Sequence, residues 1–418
     1  MSTLSAYKRV LTDRVFRRYF LGESMSSFGD AMSEVTVVIF AMQLAHGGTK
    51  PIAIALASAA YLVPGILTGM LAGRSLARLR SRTLLLIDST WRGGALGVAA
   101  VLAMSDRLNL AAYLVLLGLA SLTRPLAGSG SRAMTRELVE RDMLFPANTL
   151  LANVIQGASM VGPALAGLLI SLTDAGFVLG LDALSFLLFA ALLLTLPAAP
   201  SELHQAEAEE KQRRGIGWLR EYPAVLSVFV LAGIFLLLYG PFVVGLPLIA
   251  QERAGGWSAE SVLGVLWSAF GIGAILGNLF VGARRSLAHG QYAALIAAAW
   301  GAVTVVVAVP AHLAVAWAAM LIGGLVYAPY TAILSTVMQQ HLPESRLKEA
   351  SAYYVALTSS CGPLGTLLGG ALIASVSAVG GLAADGALLV VAGLAMAWLL
   401  RSTRTSPPHP AEALEQQT

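Results

Sequence analysis

The sequence predicts an all-α membrane protein with 12 transmembrane helices in two pseudo-symmetric six-helix bundles and both termini cytoplasmic. Three observations carry this prediction. Hydrophobic residues make up 57% of the 418 and charged residues only 12%, with a mean hydropathy of +0.74, more apolar surface than a soluble domain of this length can bury. Apolar stretches of about 20 residues, the length that crosses a bilayer core, recur along the whole chain. Lys and Arg also collect on alternate connections, which sets the orientation.

In chain order, a basic N-terminus (1–19) precedes apolar segments at 20–45, 52–73, 83–104, 110–128, 149–173 and 178–197. Together they form a first bundle, 20–199. The one long charged stretch between spans, SELHQAEAEEKQRRGIGWLREY, reads as a cytoplasmic linker, 200–223. Six more segments follow at 224–250, 261–282, 291–309, 313–337, 351–377 and 384–400. These make a second bundle, 224–400, followed by a polar cytoplasmic tail, 401–418. With the N-terminus inside, 22 of the 27 Lys and Arg residues fall on the cytoplasmic side. Only Lys50, Arg107 and Arg253 fall outside, while Arg92 and Arg124 stay within or at the edge of spans. That placement accounts for the sequence pI of 9.3 without nucleic acid as a partner. The N-terminal apolar stretch is too long for a cleaved leader and lacks a small-residue cleavage site, so it reads as retained.

Span one, FLGESMSSFGDAMSEVTVVIFAMQL, carries the chemistry. At 100° per residue, Asp30 lies about 20° to one side of Glu23 and Glu34 about 20° to the other, with Ser27 between them. The three carboxyls form one stripe climbing about 16 Å. An acid facing lipid is expensive, so the stripe is a candidate site in search of a partner. Asp30 and Glu34, one turn apart, should titrate as a coupled unit. A carboxyl that takes a proton can exchange it for a cationic ligand. Asp30 falls near the midplane and Glu23 nearer the cytoplasmic mouth. Arg92 in span three follows Asp88 by one turn, so it either pairs within its own helix or serves a span-one acid as a switchable partner. Arg124, read at the cytoplasmic end of span four, is expected to reach headgroups or hold structure. Asp182 is expected to cap span six. Asn153 and Gln156 either line a cleft or join helices, and Tyr327, Tyr330 and Tyr354 either line the cleft and stack on a lipophilic cation or simply pack. Trp218 and Tyr222 read as interfacial anchors. Cys361 stands alone and the six histidines fall at loops, tails and helix ends, so neither a disulfide nor a metal site is expected. Nothing calls for a cofactor, and no nucleotide loop or nucleophile elbow suggests an enzyme.

The two halves repeat weakly. Gly162-Pro163 in span five and Gly362-Pro363 in span eleven are 200 residues apart and hold matching places. Such repeats frame a central cleft.

Six plus six spans, a charged middle loop and these Gly-Pro pairs resemble the major facilitator superfamily across the whole chain. Ser27-Phe28-Gly29-Asp30, the stretch 132–148 and Leu181-Asp182-Ala183-Leu184-Ser185-Phe186 resemble its bacterial macrolide-efflux and enterobactin-exporter type. The span-five stretch resembles the antiporter motif, with Ala158 and Ala166 where that motif has glycine. The loop after span two resembles the superfamily's gating motif at Gly73, Arg78 and Arg82, but Ala77 replaces its acid; Asp88 is the candidate substitute. The resemblance implies a monomeric, multi-pass transporter of the bacterial inner membrane. Its implied function is proton-coupled antiport, exporting small amphipathic or cationic compounds as in multidrug or antibiotic efflux. Export of a siderophore or another endogenous metabolite, or transport of a lysophospholipid, is the alternative.

Overall fold

The computed structural model describes residues 3–76, 79–140, 143–196, 216–281, 290–309 and 312–402. They form helices α1 (Thr3–Thr12), α2 (Arg14–Leu44), α3 (Lys50–Leu76), α4 (Ser81–Met104), α5 (Leu110–Ser121), α6 (Arg124–Leu138), α7 (Leu144–Leu172) and α8 (Ala175–Leu194). After the linker come α9 (Pro223–Glu252), α10 (Ala259–Val281), α11 (Gly290–Ala308), α12 (Leu313–His341), α13 (Glu344–Ser375) and α14 (Ala378–Ser402). Among the described residues no strand occurs. Ten helical stretches are long and apolar enough to cross a membrane, or 11 if a bent pair counts as one. Their large apolar side chains face outward, as at Leu71 (86% exposed) and Trp398 (69%), the surface a lipid environment covers. Most of the linker (197–215) and of the tail (403–418), with Arg78, lies outside the described residues.

Local chemistry explains where the helices start and bend. Asp13 accepts hydrogen bonds from the Val15 and Phe16 amides and begins α2 six residues before the expected span. Asn109 and Asp174 cap α5 and α8 in the same way. Asp174 thus does what the sequence assigned to Asp182, which lies inside α8, fully buried. The fourth apolar segment is not one helix ending at 128. It stops at Ser121 and restarts at Arg124, where Pro125 fits a first turn because its missing N–H is not needed there. α7 bends by 41° beside Met160, since Pro163 cannot donate to the carbonyl four residues back.

α2 packs on α7 and α8, α4 on α8 and α6, and α3 on α5. In the second half α9 packs on α13 and α14, α11 on α14 and α12, and α10 on α12. Across the halves, α7 meets α10 and α3 meets α13. Glycines permit these approaches: a Cβ on Gly167 would strike the Gly264 backbone, and one on Gly370 would strike Ala55. Gln43 donates to Glu260 at 2.7 Å and Lys50 to Gln251 at 3.0 Å. All four contacts lie at the end where α2 and α9 finish, away from the end where α2 begins. Trp218 is buried, with the Arg346 guanidinium 5.2 Å from its ring, so it is a packing residue and not an interfacial anchor.

Candidate functional site

The break before α6 brings Arg124 into the middle of the first half. Its Nη2 lies 3.6 Å from Asp30 and 3.8 Å from Glu34, and its guanidinium sits 4.5 Å from the Tyr61 ring centre. The expected headgroup contact is therefore replaced by an internal one. The reason is positional: Arg124 opens a 15-residue helix and does not end a longer one.

Asp30 is the hub. It accepts hydrogen bonds from both terminal nitrogens of Arg92, one at 3.0 Å, and from the Tyr61 hydroxyl at 2.9 Å. Two parallel N–H bonds to one carboxylate are the strong form of this contact. The Arg92 side chain is 2% exposed and stacks 4.1 Å from the Phe186 ring centre. It also approaches Asp88 at 3.9 Å. Both arrangements offered by the sequence, pairing within α4 and pairing with α2, are thus present at once. Asp88 is buried in α4, while Arg78 of the loop after α3, its expected partner, lies outside the described residues. Within that loop motif, Gly73 lies in α3 and Arg82 donates to the Leu194 carbonyl at 2.8 Å, tying α4 to the end of α8.

The carboxyl stripe divides. Glu34 is the exposed member, at 59% of its side chain. Glu23 stands apart from both arginines and accepts from Ser131 at 3.1 Å, which in turn bonds the Tyr19 hydroxyl at 2.6 Å. Ser27 donates to its own Glu23 carbonyl at 2.8 Å, a local bond that occupies its hydroxyl. Asp182 accepts from Ser33 of α2. A Cβ on Gly29 would strike Asp182, so the Ser27–Asp30 stretch lets α2 and α8 approach closely.

Glu34 opens onto a cavity of about 390 Å³ between the halves. The first half contributes Glu34, Gln156, Ser159 and Pro163; the second contributes an aromatic wall of Tyr239, Phe242, Trp267, Phe270 and Tyr327. Trp300 backs that wall, with ring centres 5.2–5.8 Å from Phe242, Phe270, Tyr327 and Tyr239. Of the side chains expected to line a cleft, Gln156 and Tyr327 do. Asn153 does not line this cavity, and Tyr330 packs behind it on Phe235 at 4.8 Å. Tyr354 meets Phe229 edge-on at 5.8 Å. Gly162 lets α7 approach Ala31 of α2, while no atom lies within 4 Å of a Cβ built on Gly362, and Pro363 is buried.

Tyr61, Tyr239 and Trp267 were not singled out from the sequence, because an aromatic in an apolar span gives no signal of its own. Asp385, 2% exposed in α14, was hidden at the edge of an expected span. Among the described residues no cluster of His, Cys, Asp and Glu could hold a metal ion.

The transmembrane secretion effector family model matches residues 5–416. The chain is 26% identical to the enterobactin exporter EntS of Salmonella typhimurium (strain LT2), over 95% of each chain. It is 25% identical to that of Escherichia coli O1:K1, again over 95% of each. Among solved structures, the nucleoside transporter NupG superposes with a TM-score of 0.70 at 13% identity, covering 94% of this chain and 100% of that one. A bacterial homologue of the iron transporter ferroportin, in its inward-facing state, gives 0.64 at 15% identity, covering 95% and 100%. These similarities show the fold of a major facilitator transporter. The chain belongs to the transmembrane secretion effector family.

Proposed function

We propose that this transporter exports small amphipathic or cationic compounds across the bacterial inner membrane in exchange for protons. It does so by alternating access between bundles 20–199 and 224–400, with 12 spans and cytoplasmic termini. One observation carries this reading: Glu34 on the cavity wall and Asp30 behind it share a single guanidinium, that of Arg124. A cation bound at Glu34 competes with Arg124, which then turns to Asp30 and favours its ionised form. A proton on Asp30 instead frees Arg124 for Glu34 and displaces the cation. Two ligands that each weaken the other's binding give exchange, provided that they favour opposite-facing states. The aromatic wall supports an amphipathic substrate, since rings attract cations and bury flat apolar surface.

Liposomes carrying the purified protein, loaded with a pH-sensitive dye, test this with ethidium. Ethidium should move against its gradient when a pH gradient is imposed. Asp30→Asn and Glu34→Gln should each abolish that movement in folded protein. Wild-type movement in both variants would assign these acids to structure alone.

A second reading, siderophore export, is favoured by the enterobactin exporters among the relatives. Movement of enterobactin but not ethidium in the same liposomes would select it.

A further inference from the structure

Three polar atoms are buried just behind the hub without a well-aligned hydrogen bond: Asp88 Oδ1, Arg92 Nε and Thr123 Oγ1. They come from α4 and from the α5–α6 break, and the Thr123 hydroxyl lies beside the Asp88 carboxyl. Each is expensive in an apolar interior, and together they offer one donor, one acceptor and one hydroxyl, the partners a buried water needs. None of them lines the substrate cavity.

We propose that Asp88, Arg92 and Thr123 form a hydrated pocket that carries the proton from Asp30 toward the end where α2 begins, apart from the substrate. Arg92 already bonds Asp30 and stands 3.9 Å from Asp88. When Asp30 holds the proton, Arg92 turns to Asp88, the anion that remains. Release runs through the pocket water. The O–H bond on Asp30 breaks, one forms on Asp88, and Arg92 returns to Asp30. Asp88 then yields the proton to water on the side where Glu23 stands, bonded to Ser131 and, through it, Tyr19, so each carboxylate is regenerated and one proton has moved. The order follows depth. Glu23 is about 14 Å and Asp30 about 24 Å along α2 from Arg14, at 1.5 Å per residue. The charged groups facing Asp88 are Arg92 on its own helix, Asp30 and Glu23 of α2 and Arg124 at the break.

The inference rests on the antiport reading, so the test separates the two. Thr123→Val, Thr123→Ser and Asp88→Asn are compared with wild type in liposomes. The readouts are ethidium–ethidium exchange at equal pH and ethidium accumulation driven by a pH gradient. A third readout, free of substrate, is the rate of proton uptake by purified protein after a pH jump. Thr123→Val should keep exchange within about twofold and slow both accumulation and proton uptake about tenfold or more, the equivalent of one lost bond to a charged group. Thr123→Ser should restore them, and Asp88→Asn should resemble Thr123→Val. Wild-type accumulation or proton uptake in Thr123→Val overturns the route. So does equal loss of exchange and accumulation that Ser leaves unrepaired. A wild-type protein that exchanges ethidium but ignores the gradient overturns the antiport reading, and this inference with it.

Discussion

Replacing Arg92 with Met removes a buried guanidinium while keeping a chain of similar length. In the native arrangement that group serves Asp30 at 3.0 Å and Asp88 at 3.9 Å, and lies over Phe186. After the change, Asp30 retains Arg124 at 3.6 Å and Tyr61 at 2.9 Å, so its loss is partial. Asp88 loses the only cation within 4 Å of it among the described residues. Removing one partner of a buried pair costs about 3–5 kcal/mol, mainly because the other charge is stranded. Restoring neutrality should therefore repair the damage better than adding a contact would. We expect Arg92→Met to destabilise by about 3–5 kcal/mol and Arg92→Met with Asp88→Asn to recover more than half of that. Equilibrium unfolding in mixed micelles, followed by tryptophan fluorescence through the full double-mutant cycle, measures both values. A single variant within about 0.5 kcal/mol of wild type would refute the argument, as would two substitutions whose effects simply add within that margin.

Two further expectations concern the second half. Trp267→Ala and Tyr327→Ala each remove one ring of the cavity wall and should weaken ethidium binding about tenfold, from about 0.5–1.5 kcal/mol of ring contact plus lost burial; fluorescence titration gives the dissociation constants, and unchanged values would put the ligand elsewhere. Asp385 is buried in α14 with no hydrogen bond or ion pair among the described residues. Asp385→Leu should therefore raise stability by about 1–3 kcal/mol by removing an unpaired buried polar group, and a loss of stability on the same unfolding assay would reveal a native partner.

The residues legible in advance were those whose chemistry is out of place. Carboxyls at 23, 30 and 34 in an apolar stretch, and a guanidinium at 92, have no cheap structural explanation in a bilayer, so composition alone flags them. Tyr61, Thr123 and Trp267 carry no such anomaly. Their roles come from what stands opposite, and a hydroxyl or ring in a span reads the same whether it packs, bonds or lines a cavity. Arg124 was placed by counting apolar residues from 110. The count could not tell a continuous span from a helix that stops at Ser121 and restarts at Arg124, just before a proline.

By itself the sequence determined the all-helical membrane class, the positions of most helices and the angular stripe on α2. Each follows from local properties: hydropathy over about 20 residues and the fixed rotation per residue. Only the tertiary structure decided that the stripe splits, with Asp30 clamped by Arg92 and Arg124, Glu34 turned to the cavity and Glu23 left with Ser131. That partition depends on which helices lie beside α2, and charges buried at low dielectric are governed by neighbours a few ångströms away, which spacing along one helix does not specify.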